Sequence, residues 1–426
     1  MSNPAASGPA ASDPAAGPPA RPGDVTTRPE RTATVAAFIS HGLLFASWTA
    51  HIPQVKDHLG LSDSTLGLAL LGAPIGSVAA MLLIARILPR IGSKHTVQIS
   101  LLGYCLAGPL AGVAGSLLAL FAALFAWGAF QGTLDVAMNT QAVTVERAAR
   151  RSLMPGFHAS WTIGAFAGAG IGALGVAAGL SLTRQLLLLA VPVLLVAGWL
   201  TTRMRPDPVA PPATSHRQAR WGAGRLSGPV LVLGAIAFAS MLCEGATADW
   251  ASVYLRGSLH VSPGAAGLGY TVFALMMLTV RLSGNRLLSR FPRRRLLPAL
   301  AAVATIGFTA GLLGGTSVTV IAGFGCLGIG LALVVPSVNS AAGRLPGLSP
   351  GAAIAMVSAW GWAGFVFGPP IIGQLASATS LTAALAVLPV LTACIVFMTA
   401  RARVLREREQ VNMPGIAGEE IRRVRS

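Results

Sequence analysis

Charge is scarce in this chain. Asp, Glu, Lys and Arg make up 11% of its 426 residues, whereas hydrophobic residues make up 53%. Soluble domains carry about 25% charged residues, so this composition excludes a soluble globule and indicates a polytopic membrane protein. Acids are the scarcer sign, with 14 Asp and Glu against 31 Lys and Arg. Because the cations lie in short segments between apolar runs, the positive balance does not indicate nucleic-acid binding.

Sequence signals of enzymes, metal sites and secretion are missing as well. The four cysteines lie singly inside apolar runs, so they give no disulfide framework and no metal-ligand spacing. The chain has no Gly-rich phosphate loop and no visible nucleophile-base pair, so we expect neither ATP-driven transport nor catalysis, and no cofactor. Residues 1–32 lack the basic segment, apolar stretch and cleavage site of a signal peptide. Their Pro, Ala, Gly and Ser content predicts a disordered tail.

What the chain has instead is a series of long apolar runs. A membrane-spanning helix needs roughly 20 mostly apolar residues. Twelve such runs fall into two groups of six, so we predict an all-α membrane protein with twelve transmembrane helices in two bundles. The predicted spans are 33–55, 64–88, 95–115, 117–142, 153–179, 183–203, 228–255, 264–288, 295–315, 318–342, 350–377 and 380–400.

The distribution of Lys and Arg predicts which way the helices run. With the amino terminus inside the cell, the exterior loops hold only Lys56, Arg184 and Arg256 of the 31 Lys and Arg. This division follows the positive-inside rule, so we expect a monomeric cell-membrane protein with both termini in the cytoplasm. The predicted domains are a tail at 1–32, a bundle at 33–203, a basic linker at 204–227, a second bundle at 228–400 and a tail at 401–426.

An internal repeat relates the two groups of helices. A shift of 200 residues aligns them without a gap, so that Arg90 falls on Arg290 and Asn139 on Asn339. Such a repeat in a hydrophobic chain is typical of transporters built from two halves. Where the halves agree we expect gates and packing, and where they disagree, as at Asp135, we expect function. The shared glycines are Gly128 with Gly328, Gly164 with Gly364 and Gly168 with Gly368.

The loop after the second helix carries a charged pattern that recurs after the eighth. The first copy reads P-R-I-G-S-K at 89–94, and the second reads S-R-F-P-R-R at 289–294. The pattern resembles that of the major facilitator superfamily, whose members have an acid before Arg-x-Gly and two cations here; both copies lack the acid. The resemblance implies two six-helix bundles around a central cavity, alternating access and a cytoplasmic gate. The alternative is that the cations only follow the positive-inside rule. The predicted gating residues are Arg90, Gly92, Lys94, Arg290 and Arg293.

A polar stripe crosses the fourth helix. Gln131, Asp135 and Asn139 follow one another at four-residue spacing, so they share one face of the helix. Because an unpaired carboxylate is costly in hydrocarbon, we expect this face to line the cavity and to bind substrate or a proton. The alternative is a hydrogen-bond cluster that only helps the helices to pack. Asn339, the repeat partner of Asn139, belongs to the same predicted binding set.

Further ionisable groups are candidates for proton transfer. Glu244 and Asp249 lie in the seventh helix, and five residues at about 100° each turn them about 140° apart, so we expect different surfaces. Glu244 falls near the bilayer middle, where desolvation favours the neutral carboxyl, and is the predicted proton carrier. Asp249 falls near the outer surface as a gate, a substrate acceptor or a solvated residue. His158 is the preferred histidine, ahead of His41 and His51, and all three also fit packing roles.

Tryptophans inside the helices give a clue to the substrate. Rings beside carboxylates and amides suit sugars, which offer hydroxyl groups and apolar C–H faces. The same rings suit cationic amphiphiles. We place Trp48, Trp161 and Trp360 in the binding set. Trp127 and Trp199 are interpreted as anchors at the membrane interface.

Within the superfamily, the chain is most similar to the fucose-permease-like branch. The likeness lies in Asp135, Ala137 and Asn139 of the fourth helix and in I-P-Q at 52–54. In fucose permease one acid in the first helix and one in the fourth serve proton coupling and sugar recognition. Asp135 matches the second of these, whereas Thr49 stands where the first would be, so the resemblance implies that Glu244 or His158 takes over its role.

These features predict a proton-coupled secondary transporter for a small polar solute such as a sugar, working by alternating access. The alternative is proton-driven efflux of a drug or metabolite. Drug-proton antiporters of the superfamily have a Gly-Pro step in the fifth helix, where this chain has Gly168-Ala169; Gly368-Pro369 lies in the eleventh instead. Pro369 and Pro370 predict a kink or break in that eleventh helix.

Overall fold

The prediction of an all-helical protein is confirmed. A computed structural model describes residues 28–149, 153–207, 228–345 and 350–405. Within these ranges the chain forms helices and no β-strand. Most of the predicted tails and of the linker lie outside the described residues, so their predicted character stays a prediction.

The first six helices cross back and forth through residues 28–201. Short turns between them make neighbouring helices antiparallel. They are α1 (Arg28–Thr49, continued by Ile52–Leu59), α2 (Asp63–Leu70 and Gly72–Ile91), α3 (Ser93–Ala107, with a 3-10 end at Gly108–Val113), α4 (Leu117–Ala149), α5 (Met154–Ala177) and α6 (Leu182–Pro192, a π-helical stretch at Val193–Gly198, and Trp199–Thr201).

The second six helices repeat this order. They are α7 (Gly228–Gly257), α8 (Pro263–Ala266 and Leu268–Arg290), α9 (Arg293–Gly314), α10 (Ser317–Leu331 and Val334–Ala342), α11 (Pro350–Ala378) and α12 (Leu381–Leu385 and Val387–Arg401). We call the end at which α1 meets α2 the distal end, and the opposite end, which carries residues 28 and 401, the terminal end.

Length and hydropathy agree with a membrane location. Within the described ranges ten helices are long and apolar enough to cross a membrane, and α1 with its continuation, bent by 45°, makes an eleventh. α11 has 29 residues, enough to cross a membrane. α1 begins at Arg28 rather than at residue 33, with Pro29 and Glu30 in its first turn, where both suit a helix start.

Prolines set the breaks in α1 and α10. A proline has no backbone N–H for the carbonyl four residues before it. The carbonyl of Thr49, four residues before Pro53, accepts instead from Ser252 Oγ of α7 at 2.5 Å. The carbonyl of Ala332, four residues before a second proline, accepts from Arg281 Nε of α8 at 3.3 Å. Side chains of neighbouring helices thus satisfy the carbonyl groups, as a non-aqueous environment requires.

A kink or a break was predicted in α11, and the break is wrong, because the helix runs from Pro350 to Ala378 through both prolines. Its carbonyl at Pro369 instead faces α2, where Gly67 offers no side chain to keep the two backbones apart. The proline pair therefore lies at a close helix contact and not at a gap between two helices.

Glycines of the repeat hold equivalent helix contacts in the two halves. A Cβ on Gly128 of α4 would overlap the carbonyl oxygen of Ala73 in α2. A Cβ on Gly328 of α10 would overlap the carbonyl oxygen of Phe273 in α8, and position 273 is the repeat partner of position 73. Small residues let backbones approach in this way inside membranes. The sequence repeat is therefore also a packing repeat.

The two bundles meet closely at the distal end. There α2 touches α11, where Gly67 lies against Gly373, and α5 touches α8, where Gly264 lies against Ala177. The hydrogen bond from Ser252 to the Thr49 carbonyl also joins the bundles. These contacts close the distal end over the space between the halves.

A paired glycine substitution tests this packing. A Cβ on Gly168 of α5 would overlap the Leu43 carbonyl oxygen of α1, whereas one on Gly170 meets nothing within 4 Å. We expect Gly168→Ala to destabilise the protein by about 1–3 kcal/mol through overpacking, and Gly170→Ala to raise stability by up to about 1 kcal/mol, because alanine favours the helix over glycine. Equilibrium unfolding in mixed micelles measures both. Equal stability of the two variants would contradict the packing assignment.

Candidate functional site

A cavity of about 250 Å³ lies between the two bundles and is the candidate functional site. Every helix pair at the bundle interface contributes to its wall. The first bundle supplies Phe38, His41, Phe45, Trp48, Trp127, Gln131, Asp135, His158 and Trp161, among others. The second supplies Met241, Glu244, Asp249, Arg281, Val335, Trp362, Phe365 and Pro369.

The polar stripe of α4 meets the cavity in part. Gln131 and Asp135 line it, whereas Asn139 lies one turn further along the helix and outside the lining. Asn139 Nδ2 donates to the Asp135 carboxylate at 3.2 Å and to the Asp135 carbonyl at 2.8 Å. Asn139 thus holds the carboxyl group in place from behind. Asn339, its repeat partner, also lies outside the lining.

Glu244 and Asp249 of α7 line the same cavity. The expectation that they face different surfaces is therefore wrong, because the cavity wraps around enough of α7 to reach both directions. Within the described ranges, neither side chain makes a hydrogen bond or an ion pair within 4.0 Å. Both carboxyl groups are thus open to a solute or a proton in the cavity.

Arg281 of α8 is a cavity residue that the sequence reasoning missed. It lies inside a membrane helix, its Nη1 donates to Thr162 Oγ1 of α5 at 2.9 Å, and its Nε donates to the Ala332 carbonyl. The repeat contained a signal for it, since Met81 stands at the equivalent position of the first half. Extending the search for disagreements between the halves from acids to bases would have found it.

Aromatic rings form a continuous wall in the first bundle. Trp161 Nε1 donates to His41 Nδ1 at 2.6 Å, which leaves the histidine proton on Nε2. The His41 ring stacks on Tyr104 with centroids 5.6 Å apart, and Tyr104 stacks on Trp127 at 5.3 Å. Trp127 meets Trp48 edge to face at 6.2 Å. Of these residues His41, Trp48, Trp127 and Trp161 line the cavity, and Tyr104 is buried behind them.

The remaining histidines differ in their surroundings. His158 is exposed to the cavity one turn from the start of α5, so the cavity reaches towards the terminal end. His51 is fully buried, 2.7 Å from Gln54 Oε1 and 2.8 Å from Gln185 Oε1, and lies outside the lining. His51 therefore has the surroundings of a packing residue, as the sequence allowed.

The structure revises the roles of three tryptophans. Trp127 is buried and lines the cavity, so its interpretation as an interface anchor is wrong. Trp199 is 56% exposed beneath the Arg203 guanidinium, as an anchor would be. Trp360, placed in the binding set, instead packs over Gly234 with 40% of its surface exposed and lies outside the lining. Its neighbour Trp362 faces the cavity instead.

Three of the predicted gating cations donate hydrogen bonds to residues of their own bundle. Lys94 Nζ donates to the Thr202 carbonyl at 2.7 Å, and Arg90 Nη1 donates to the Arg86 carbonyl at 3.1 Å. In the second half, Arg293 donates to Ser340 at 3.4 Å, and Arg290 is exposed. Gly92 has a φ of 80°, a left-handed value that favours glycine at this turn between α2 and α3.

An acid absent from the charged loop is supplied by the start of the linker. The Asp207 carboxylate accepts from the Ser93 backbone N–H at 2.5 Å and from the Ser93 hydroxyl, at the first residue of α3. Gln141 of α4 donates to Ser93 Oγ and to the Arg205 carbonyl, both at 2.7 Å. Arg205 pairs with Glu30 of α1 at 3.5 Å. This cluster fastens the linker to the first bundle.

Twelve helices, a two-fold packing repeat and a central polar cavity define a secondary transporter. The sequence matches the family model described as Major Facilitator Superfamily over residues 33–347 and 233–422, so the chain belongs to that superfamily. An uncharacterized MFS-type transporter of Yersinia pestis is 33% identical over 365 residues, covering 83% of this chain and 91% of the relative. Membrane protein MosC of Rhizobium meliloti is 31% identical over 368 residues, covering 85% and 88%.

Solved structures share the fold at low identity. A D-xylose-proton symporter matches with a TM-score of 0.71 and 14% identity, covering 88% of this chain and 97% of the other. The nucleoside transporter NupG matches with a TM-score of 0.64 and 15% identity, covering 87% and 98%. These matches establish the architecture of two bundles around a cavity, and the substrate is a separate question.

Substitution of Asp207 tests the linker cluster. Asp207→Ala removes the acceptor for the first N–H of α3, so we expect the free energy of unfolding to fall by about 0.5–2 kcal/mol. Asp207→Asn keeps one acceptor and should lose less. Asp57→Ala, at an exposed acid without a side-chain partner in the described residues, is the control, with a change below about 0.5 kcal/mol. Equilibrium unfolding ranks the three, and equal values for both Ala variants would show that the cluster contributes nothing.

Proposed function

We propose that this protein is a proton-coupled symporter for a small, neutral, polar solute such as a sugar. The observation that carries the proposal is the division of the cavity into an aromatic wall and a set of unpaired carboxyl groups. We further propose the fucose-permease-like branch, a monomer in the cell membrane with both termini in the cytoplasm, and the domain limits predicted from the sequence.

Cavity size favours a small solute. The volume of the cavity is about 250 Å³. Pockets for drug-sized ligands are usually about 300–1,000 Å³. The smaller volume supports a solute of sugar size over a large amphiphile, and it weighs against the alternative of drug efflux.

Charge in the cavity favours a solute without negative charge. Asp135, Glu244 and Asp249 face it, against a single Arg281, so acids outnumber arginine three to one in the lining. When the acids are ionised, an anion would meet net repulsion. A neutral polyol can donate hydrogen bonds from its hydroxyl groups to the carboxylates. Its apolar C–H face can stack on Trp48 or on other rings of the wall.

Proton coupling is assigned to Glu244, with Asp135 as the solute-binding acid. Glu244 has no hydrogen-bond or ion-pair partner in the described residues, so its charge is uncompensated by direct contact in this state. Such a group favours the neutral form in a low-dielectric site. Asp135, by contrast, is held by Asn139, which orients the carboxylate towards the cavity.

Vesicles with an imposed proton gradient test the function directly. We expect at least one sugar or polyol of a labelled panel to accumulate inside the vesicles above its external concentration when the exterior is acidic. In vesicles treated with a protonophore, the internal concentration of the solute should only equal the external one. If fluorescent dyes leave the vesicle under the gradient and no polyol enters, the protein is an antiporter and the proposal is wrong.

Glu244→Gln separates coupling from transport. The amide cannot carry the proton, so we expect gradient-driven accumulation to fall to the level of protonophore-treated vesicles while solute exchange without a gradient persists. Glu146→Gln is the matched control, because Glu146 accepts from the backbone of Leu153 and Met154 and lies outside the cavity. Full accumulation by Glu244→Gln would remove this residue from the proton path.

Asp135→Asn tests the solute site. The substitution keeps the size of the side chain and removes the charge, so we expect the solute affinity to fall by about tenfold or more, because hydrogen bonds to charged groups are the stronger ones. Exchange kinetics over a range of solute concentrations measure the change. Unchanged affinity and transport would assign Asp135 to helix packing.

A further inference from the structure

Arg281 links the two bundles inside the membrane. Its Nη1 donates to Thr162 of α5, in the first bundle, while Arg281 itself belongs to α8 of the second. The Thr162 hydroxyl donates to the His158 carbonyl one turn earlier, so its oxygen lone pairs are free to accept from the guanidinium. The bond at 2.9 Å is thus well matched in donor and acceptor.

The guanidinium is anchored on its own side by the break in α10. Nε donates to the Ala332 carbonyl, which a proline four residues later leaves without a helical N–H. This contact and the bond to Thr162 hold the rigid, planar guanidinium at two of its nitrogens, so a change of partner requires the whole side chain to rotate about its C–C bonds. Nη2 has no hydrogen bond in the described part of the chain.

Glu244 is the carboxyl group that we consider as a second partner for the Arg281 guanidinium. Both side chains line the same cavity and act on each other electrostatically, yet no nitrogen–oxygen distance between them is within 4.0 Å. Both side chains are half-buried, and a carboxylate and a guanidinium attract in a partly desolvated cavity, so an ionised Glu244 would compete with the neutral Thr162 for the guanidinium. In the observed arrangement Arg281 is on Thr162, and Glu244 has no ion-pair partner among the described residues.

Other titratable groups face the same space. Tyr270 of α8 is buried within electrostatic reach of Glu244 and Arg281, and Asp249 lies on α7 itself. Asp135, His41 and His158 lie across the cavity in the first bundle. Neither Asp135 nor Asp249 is within the 4.0 Å ion-pair distance of Arg281, whereas His158 lies within its electrostatic reach. An acid-rich lining also makes a solute anion a poor partner for this arginine, so its partner belongs to the protein.

We propose that Arg281 is a positioning residue that exchanges partners during transport, holding Thr162 of the opposite bundle while Glu244 is protonated and turning to the Glu244 carboxylate when the proton leaves. The proposal rests on the proposed function. The proton passes from the Glu244 carboxyl to water in the cavity, and the loss of the Thr162 bond removes a link between α5 and α8. Proton release and separation of the two bundles are thereby coupled.

Distances between spin labels test the exchange without a known substrate. Labels on cysteines introduced at Gly156 of α5 and Ser289 of α8, both exposed near the terminal end, report the separation of the bundles. The full chain carries them in nanodiscs, with its four native cysteines replaced by alanine. The unlabelled background must keep the unfolding midpoint of the natural chain.

We expect the distance distribution of the background protein to change between pH 5.5 and pH 8.5. Glu244→Gln should hold the acid-pH distribution at both values. Thr162→Val, which keeps the shape of the side chain, should shift the population ratio at pH 5.5 by about tenfold towards the high-pH form, equivalent to about 1.4 kcal/mol. Arg281→Gln should abolish the pH response, and Arg281→Lys, which keeps the charge but not the forked geometry, should retain part of it.

The partner exchange would be overturned if the distance distribution of Arg281→Gln or of Glu244→Gln still changed with pH as fully as that of the background protein. An undiminished pH response in Arg281→Lys would overturn it as well. So would a background protein without any pH response. Failure of the proposed function is recognised separately in the vesicle experiment. If accumulation depends on the proton gradient but Arg281→Gln accumulates normally, the function stands and only the role of Arg281 is lost.

Discussion

The need to satisfy every polar group without help from lipid shapes this structure. Where prolines interrupt α1 and α10, the freed carbonyls of Thr49 and Ala332 are bonded by Ser252 and Arg281 from neighbouring helices. The same constraint gathers the ionisable side chains of the membrane helices around one cavity. The breaks that local sequence imposes on the helices are therefore also the points that tie helices, and in one case the two bundles, together.

Close packing and polar chemistry are distributed differently over the two halves. Glycines repeat with a period of 200 residues and hold equivalent contacts, as Gly128 and Gly328 do against α2 and α8. The charges do not repeat, since the second half alone supplies Glu244, Asp249 and Arg281 to the cavity, while the first supplies most of the aromatic wall. A symmetric frame thus carries an asymmetric site, with two of the three cavity acids and the arginine in one bundle and most of the ring surfaces in the other.

Much of the architecture was predictable because hydropathy and the repeat report it directly. The apolar runs predict the helix order, and the 200-residue repeat predicts the equivalent glycine contacts. The cost of placing a carboxylate in hydrocarbon predicts that the acids of the membrane helices face the cavity. Other features depend on the rotation of each helix about its axis and on the depth of a residue in the membrane, and composition specifies neither. Trp360 thus lies outside the cavity lining while Trp362 faces the cavity, and Trp127 is buried. Arg281 was missed because the search for disagreements between the two halves covered acids and not bases. Asp207 was missed because its partner, Ser93, is distant in sequence.

The central claim is that solute and proton move together through the cavity. The most direct test is the pH of a weakly buffered suspension of vesicles that contain the protein, recorded as a transported polyol is added without any imposed gradient. The account predicts that the external medium becomes more alkaline in step with solute entry, and that Glu244→Gln vesicles show solute entry without this change. Acidification of the medium, or solute entry with no pH change in the natural protein, would contradict it.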